Sequence, residues 1–248
     1  MIKIQKKPTP QVIIDNKDMW TQHLLDAVKS YGGYSEIPDA ERDKLLLHYR
    51  HKDIRKALSE SSHGKCAFCE CKPGESGNIE VEHFEPKSIY PDLTFEWDNL
   101  LPSCRKCNEA KSDFDTRISP IINPTKEDPE KLLTYSFLRI IPRNDSGKVE
   151  KAHNTIEVCN LNSERLYDAR ASLMKSMTEY IDNLKSIFDL IAEADTPLKR
   201  HRRFNKLRSS LDVIDAMLAE NSAYSGYCKW LIAQFPDYQK AKQMVASR

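Results

Sequence analysis

The chain has 248 residues, 40% of them hydrophobic and 30% charged, a composition that excludes a disordered chain and allows one large domain or two modest ones. Its 38 Lys and Arg nearly cancel 37 Asp and Glu, which excludes a global polycation, so any nucleic-acid surface must be local. Seven cysteines, four of them in two Cys-x-x-Cys pairs, favour reduced thiols over a disulfide scaffold. Lys3, Lys6 and Lys7 are followed by no apolar h-region, and no run approaches the ~18 apolar residues that a membrane helix needs. The expectation is a cytoplasmic protein. The seven glycines form no phosphate loop.

In chain order, Pro8 and Pro10 argue against helix in residues 1–16, where Val12-Ile13-Ile14 reads as a short extended run in an arm suited to docking on a partner. A helix is expected from Lys17 to Tyr31, stopped by Gly32-Gly33. A second one starts near Pro38 and runs to Ser59 on the stripe Leu45, Leu46, Tyr49, Ile54, Leu58. Residues 78–83, Asn78-Ile-Glu-Val-Glu-His83, alternate as a half-buried strand does, with Ile79 and Val81 on one side and Glu80, Glu82 and His83 on the other. Phe95 to Leu101 suits a second extended piece, and Ser103 suits the cap of a short helix holding Cys104, Cys107, Asn108 and Lys111.

Pro120 and Pro124 suggest a boundary at 118–125. Beyond it, Leu132 to Ile141 and the stretch from Lys148 onwards read as a hairpin with Asn144-Asp-Ser-Gly147 at its tip. Asn162 or Ser163 can cap a long helix striped by Leu166, Ala169, Leu173, Met177, Tyr180, Leu184, Ile187 and Ile191. Asp195-Thr196-Pro197 starts another helix, with Phe204, Leu207, Leu211, Ile214 and Leu218 inward, and a last segment around Trp230 stops before Pro236. The expected fold is mainly α with a small ββα-metal module: an N-terminal arm and helices at 1–59, the module at 60–117, and a hairpin plus a helical C-terminal region at 118–248.

The chemistry concentrates in the middle. Cys66, Cys69, Cys104 and Cys107 have the spacing of a closed tetrahedral zinc site, which would pin the strand bearing His83 to the helix bearing Asn108. A thioredoxin-like dithiol would need one pair in a βαβ setting, absent here. Cys71 is either an alternative ligand or a bystander, and Cys159 and Cys228 suit the core. His83, beside Glu82 in the zinc-pinned loop, suits a general base, and Glu82 a ligand for a hard cation.

Val81-Glu-His-Phe-Glu-Pro86, Trp97-Asp-Asn-Leu-Leu-Pro102 and Cys104-Arg-Lys-Cys-Asn-Glu-Ala-Lys111 together resemble the HNH endonuclease motif in its four-cysteine zinc form. The resemblance covers about residues 60–117. It implies His83 as general base, Asn99 as the residue that orders the loop and orients the histidine, and Glu82 with Asn108 as ligands of one Mg²⁺ or Mn²⁺, leaving 3′-hydroxyl and 5′-phosphate ends. The family more often has aspartate where Glu82 stands; Glu80 or Asp98 could assist. Lys111, three residues after Asn108, could neutralise a phosphate or be a surface charge, as could Arg105 and Lys106. More widely, the basic arm, Glu82-His-Phe-x-Pro-Lys87, Asn154-Thr-Ile156, Leu161-Asn162, Arg165 and Arg170 resemble the PtuB family, the HNH subunit of Septu-type anti-phage systems and the effector of some retrons. That resemblance implies an ABC-type ATPase partner of the PtuA kind, and in retrons a reverse transcriptase with its msDNA.

Residues 63–117 hold more acids than bases, whereas Lys199, Arg202, Arg203 and Lys206 share one face of a helix and can hold a nucleic-acid backbone or an acidic partner. The expected function is a metal-dependent HNH endonuclease cutting DNA or RNA. The alternative is a zinc-stabilised nucleic-acid-binding or ATPase-scaffolding subunit without cleavage.

Overall fold

The structure, a computed structural model, describes residues 1–73 and 79–247. Asn78, the first residue of the expected strand, lies outside the described residues. The fold is mainly α, with one small ββα piece and one hairpin, and it divides into two compact units.

The first unit comprises Met1–Thr134 and Ile140–Asn162. Its first helix, α1 (Gln11–Tyr31), begins directly after Pro10 and ends on Gly32, whose φ of 79° is left-handed. Val12–Ile14 are therefore helical, not extended. A proline just before the first turn costs no intrahelical donor, and Ile13 is buried with Trp20, Leu24 and Ala27. The arm docks on its own chain. The Ile4 amide donates to the Pro124 carbonyl at 2.8 Å, the Lys7 amide to Ser61 Oγ at 2.9 Å, and Trp97 Nε1 to the Lys7 carbonyl at 3.1 Å.

The expected long second helix is broken into α2 (Asp39–Leu46), a 3₁₀ turn (Leu47–Arg50) and α3 (Lys52–Ser61). His51 is extended at ψ 143°, and its Nδ1 accepts from the Asp53 amide at 3.3 Å, capping α3. The break seats Tyr49 in the core with Leu46, Ile54 and Leu58. That core also takes in Val81, Phe95, Trp97 and Leu100.

Strands β1 (Glu80–His83) and β2 (Leu100–Ser103) pair antiparallel, with Glu82 opposite Leu101 and His83 opposite Leu100. The second extended piece thus starts later than Phe95, after a 3₁₀ turn at Trp97–Asn99. The loop between Cys66 and Cys69 docks on β2 through the Ala67 amide, which donates to the Pro102 carbonyl at 2.8 Å. Helix α4 (Arg105–Lys111) follows. Its N-cap residue is Cys104 rather than Ser103, whose hydroxyl donates to the Cys104 carbonyl instead.

The stretch after 118–125 continues this unit, since the Ile122 amide donates to Thr155 Oγ1 at 2.8 Å. The hairpin is shorter than expected: β3 (Leu133–Ser136) returns as β4 (Arg139–Pro142) through Phe137, which sits at φ 57°. The Asn144–Ser146 turn leads not into a strand but into helix α5 (Val149–Val158). Asn162 brackets Ile140, its side chain bonding both the amide and the carbonyl at 3.0 Å.

The second unit, Tyr135–Arg139 and Ser163–Arg248, has its own core. Helices α6 (Glu164–Ala192), α7 (Pro197–Leu218) and α8 (Ser225–Ile232) bury Met177, Leu184, Leu207 and Tyr227 together. Thr196 caps α7, its side chain accepting from the Lys199 amide. Pro236 does not end the helical region but starts α9 (Pro236–Ala246), as a first-turn proline can. Among the described residues, no helix is long and apolar enough to cross a membrane.

Candidate functional site

Cys66, Cys69, Cys104 and Cys107 bring their sulfurs within 4.8 Å of one another, and all four are buried. Tetrahedral Zn²⁺ bound at about 2.3 Å places its thiolates roughly 3.8 Å apart, so this donor set fits that ion. Crowding divides the thiols. Hydrogen bonding from Cys107, Cys66 and Cys69 holds the Cys104 thiol far below its usual range, and bonding to Cys104 pushes Cys107 up. Cys66 is likewise held low and Cys69 pushed up, so two of the four thiols lean toward the thiolate that a metal requires and two away from it. Cys71 is half-buried and close enough to hydrogen-bond Cys104 and Cys66.

Beside the sulfur cluster, β1 presents different residues on its two faces. Glu80 accepts from Asn108 Nδ2 at 2.7 Å, and Glu82 Oε1 pairs with Lys111 Nζ at 2.8 Å, so both carboxylates face α4. His83 is the last residue of β1. Its ring meets that of Tyr49 edge-on, the ring centroids 4.7 Å apart.

His83 is 4% exposed, and its Nε2 lies 2.9 Å from the Thr94 carbonyl. A carbonyl only accepts, so Nε2 carries the proton and Nδ1 keeps its lone pair. Burial, with Lys87 nearby, holds the imidazole down to about 3, so the ring is neutral at physiological pH. Asn99 acts on this histidine through the loop. Its Oδ1 accepts from the Glu85 amide at 2.7 Å, and its Nδ2 donates to the Glu85 and Leu93 carbonyls at 2.9 and 3.1 Å. These bonds clamp the segment whose Thr94 carbonyl fixes the ring.

Lys111, expected either to neutralise a phosphate or to be a surface charge, is buried. It is 1% exposed, bound to Glu82 and to the His83 carbonyl at 2.8 Å. The buried carboxylate draws it inward, because an uncompensated charge there costs several kcal/mol. Burial nevertheless pushes the Glu82 carboxyl up to about 7, against the pull of Lys111. Lys111→Met should therefore destabilise the first unit by about 3 kcal/mol, while Lys111→Met with Glu82→Gln should recover most of that loss. Denaturant melts of the single and double variants test the pairing; equal losses would refute it.

Glu82, His83 and Asn108 line one cavity of about 380 Å³, together with Tyr49 and Lys87. Asn108 gives its Nδ2 to Glu80, which leaves Oδ1 as an acceptor. The carboxylate and amide oxygens are hard donors, a set that fits Mg²⁺ or Mn²⁺. Arg105 and Lys106 both pair with the exposed Glu109. On α7 of the second unit, Lys199 pairs with Asp195 at 2.9 Å and Arg203 donates to the Leu190 carbonyl. Arg202 and Lys206 on that helix are exposed and form no ion pair among the described residues.

Sequence reasoning missed Tyr49 and Thr94 as the groups around the His83 ring. Tyr49 appeared only as one member of an apolar stripe, and a backbone carbonyl leaves no residue-type signal.

A family model described as HNH endonuclease matches residues 66–114. The chain is similar to the Septu protein PtuB of Bacillus thuringiensis, 34% identical over 189 residues that cover 74% of this chain and 64% of that protein. It therefore spans less than two thirds of that relative's length. It is also similar to the Septu protein PtuB of Bacillus mycoides (strain KBAB4), 24% identical over 242 residues that cover 81% of this chain and 78% of the relative. With its four buried cysteines framing the matched segment, the chain carries an HNH endonuclease-type domain and resembles the Septu PtuB proteins over most of its length.

Proposed function

We propose that the protein is a metal-dependent nuclease that hydrolyses nucleic-acid phosphodiester bonds in the bacterial cytoplasm, as the effector subunit of a Septu-type anti-phage complex with an ABC-type ATPase of the PtuA kind. The observation that carries this reading is the placement of His83: it lines one cavity with Glu82 and Asn108, and its Nε2 lies 2.9 Å from the Thr94 carbonyl, which assigns the proton to Nε2 and the basic lone pair to Nδ1. Similarity to the Septu proteins supports the defence setting and the partner.

His83 Nδ1 takes the proton from the attacking water, and the buried neutral ring needs no prior deprotonation to do so. Glu82 and Asn108 would hold one Mg²⁺ or Mn²⁺, which supplies electrostatic stabilisation of charge developing on the phosphate oxygens. Lys111 holds Glu82 in place from behind, and Asn99 keeps the Thr94 loop, hence the ring, in register. Cys66, Cys69, Cys104 and Cys107 would hold one zinc ion, tying the Cys66–Cys69 loop to the start of α4. Helix α7 would contribute backbone contacts, chiefly from Arg202 and Lys206, with Lys199 and Arg203 once their present partners release them.

Purified protein, with and without the ATPase subunit, should be incubated with labelled DNA and RNA in Mg²⁺, Mn²⁺ or chelator. Metal-dependent cleavage leaving 5′-phosphate ends is expected. Intact substrate under every condition, with zinc-loaded folded protein, would refute the reading.

A further inference from the structure

The active cavity adjoins a second one of about 400 Å³, with which it shares Tyr49, Val81 and Asn108. Arg50 and Arg55 line this second space. Both precede the matched residues 66–114, Arg50 in the 3₁₀ turn made by the break at His51 and Arg55 on α3. Both are exposed, and among the described residues neither they nor Lys87 on the active-cavity wall forms an ion pair. Of the acids that line the two cavities, Glu80 accepts from Asn108, Glu82 pairs with Lys111 and Glu109 with Arg105 and Lys106, while Asp113 stands on the active-cavity wall. Three cations without an ion pair among the described residues thus border the trough, two of them, Arg50 and Arg55, on the second cavity.

Two details favour an anion between them. Arg50 is braced rather than neutralised, its Nε donating to Tyr49 Oη at 3.2 Å and its guanidinium lying 5.3 Å from that ring. The Lys87 ammonium is held below its ordinary value by burial and by repulsion from Arg50, Lys111 and Arg42, with Glu82 opposing. A phosphate would relieve that repulsion.

We infer that Arg50, Arg55 and Lys87 form a binding subsite for the phosphodiester backbone flanking the bond cut at His83, supplied largely from outside the matched HNH segment. The inference rests on the nuclease reading above. It also answers the acidity of residues 63–117, because the cations that border the trough come chiefly from the turn and helix that lead into the Cys66–Cys69 loop.

The test measures binding of labelled DNA and RNA, duplex and single-stranded, by the full chain across a salt series, with Ca²⁺ in place of Mg²⁺. Arg50→Ala with Arg55→Ala should lower the slope of log affinity against log salt by about 1.8 for duplex DNA or 1.4 for single strands, two phosphate contacts' worth. Lys87→Ala should lower it by about half as much. Arg50→Lys with Arg55→Lys should keep it, and Lys52→Ala with Lys56→Ala, on the same helix, should leave it unchanged. Zinc content and melting midpoint confirm folding of each variant. A wild-type slope in the Arg50/Arg55 alanine variant overturns the subsite, as does an equal drop in the Lys52/Lys56 control. Binding without cleavage in Mg²⁺ or Mn²⁺ leaves the subsite standing and removes the nuclease reading. Wild-type protein that binds no nucleic acid overturns both.

Discussion

Stripping zinc from the four-cysteine cluster is expected to unfold the ββα module cooperatively while the second unit keeps its helices. Strands β1 and β2 have four residues each and pair only with one another, a ribbon that is marginal without a staple. Structural zinc in small modules is linked to folding by on the order of 10 kcal/mol at neutral pH, more than the whole stability of many domains. The second unit holds a separate apolar core and none of the four clustered cysteines. Circular dichroism during titration with a strong chelator should therefore show partial loss of helix, with quenching or shift of Trp97 fluorescence, and Cys107→Ala should mimic it. Protein that melts identically with and without chelator, or that purifies without stoichiometric zinc, would refute a structural metal.

The four-cysteine cluster was legible because ligand chemistry imposes a spacing: two thiols with two residues between them, twice. The mainly α character was legible from apolar stripes, and α6 and α7 lie close to where those stripes place them, while α1 ends as expected but starts six residues earlier than Lys17. What failed were local decisions that carry no residue-type signature. Nothing in Leu47-His-Tyr-Arg-His51 announces a break, yet an extended His51 splits the helix and sends Tyr49 to the His83 ring. Phe137 turns the hairpin at φ 57° without glycine, so the turn was sought at Asn144–Gly147 instead. Pro10 and Pro236 were read as breakers, but each stands at a helix start, where proline is tolerated. Lys111 was misplaced for a different reason. Helical spacing gives its direction correctly, toward the Asn108 side, but whether a lysine there meets solvent or a buried carboxylate depends on β1, which sequence spacing on α4 cannot show.

Replacing His83 should lower cleavage by about 10²–10⁴, the contribution of a positioned general base. Alanine alone does not isolate that role. His83 is buried and satisfies the Thr94 carbonyl at 2.9 Å, and Thr94 Oγ1 is already buried without a partner among the described residues. Removing the ring would leave the carbonyl unsatisfied as well, at about 1–3 kcal/mol, so some activity could be lost through the loop. His83→Gln separates the two effects, because a glutamine amide can still donate to Thr94 but has no basic nitrogen to accept a proton from water. The glutamine variant should keep the wild-type melting midpoint more closely than the alanine variant and yet lose as much activity. Initial rates of cleavage at saturating Mn²⁺, measured beside melts of the same preparations, make the comparison. A glutamine variant that cuts at the wild-type rate would remove His83 from proton transfer and leave it a loop anchor.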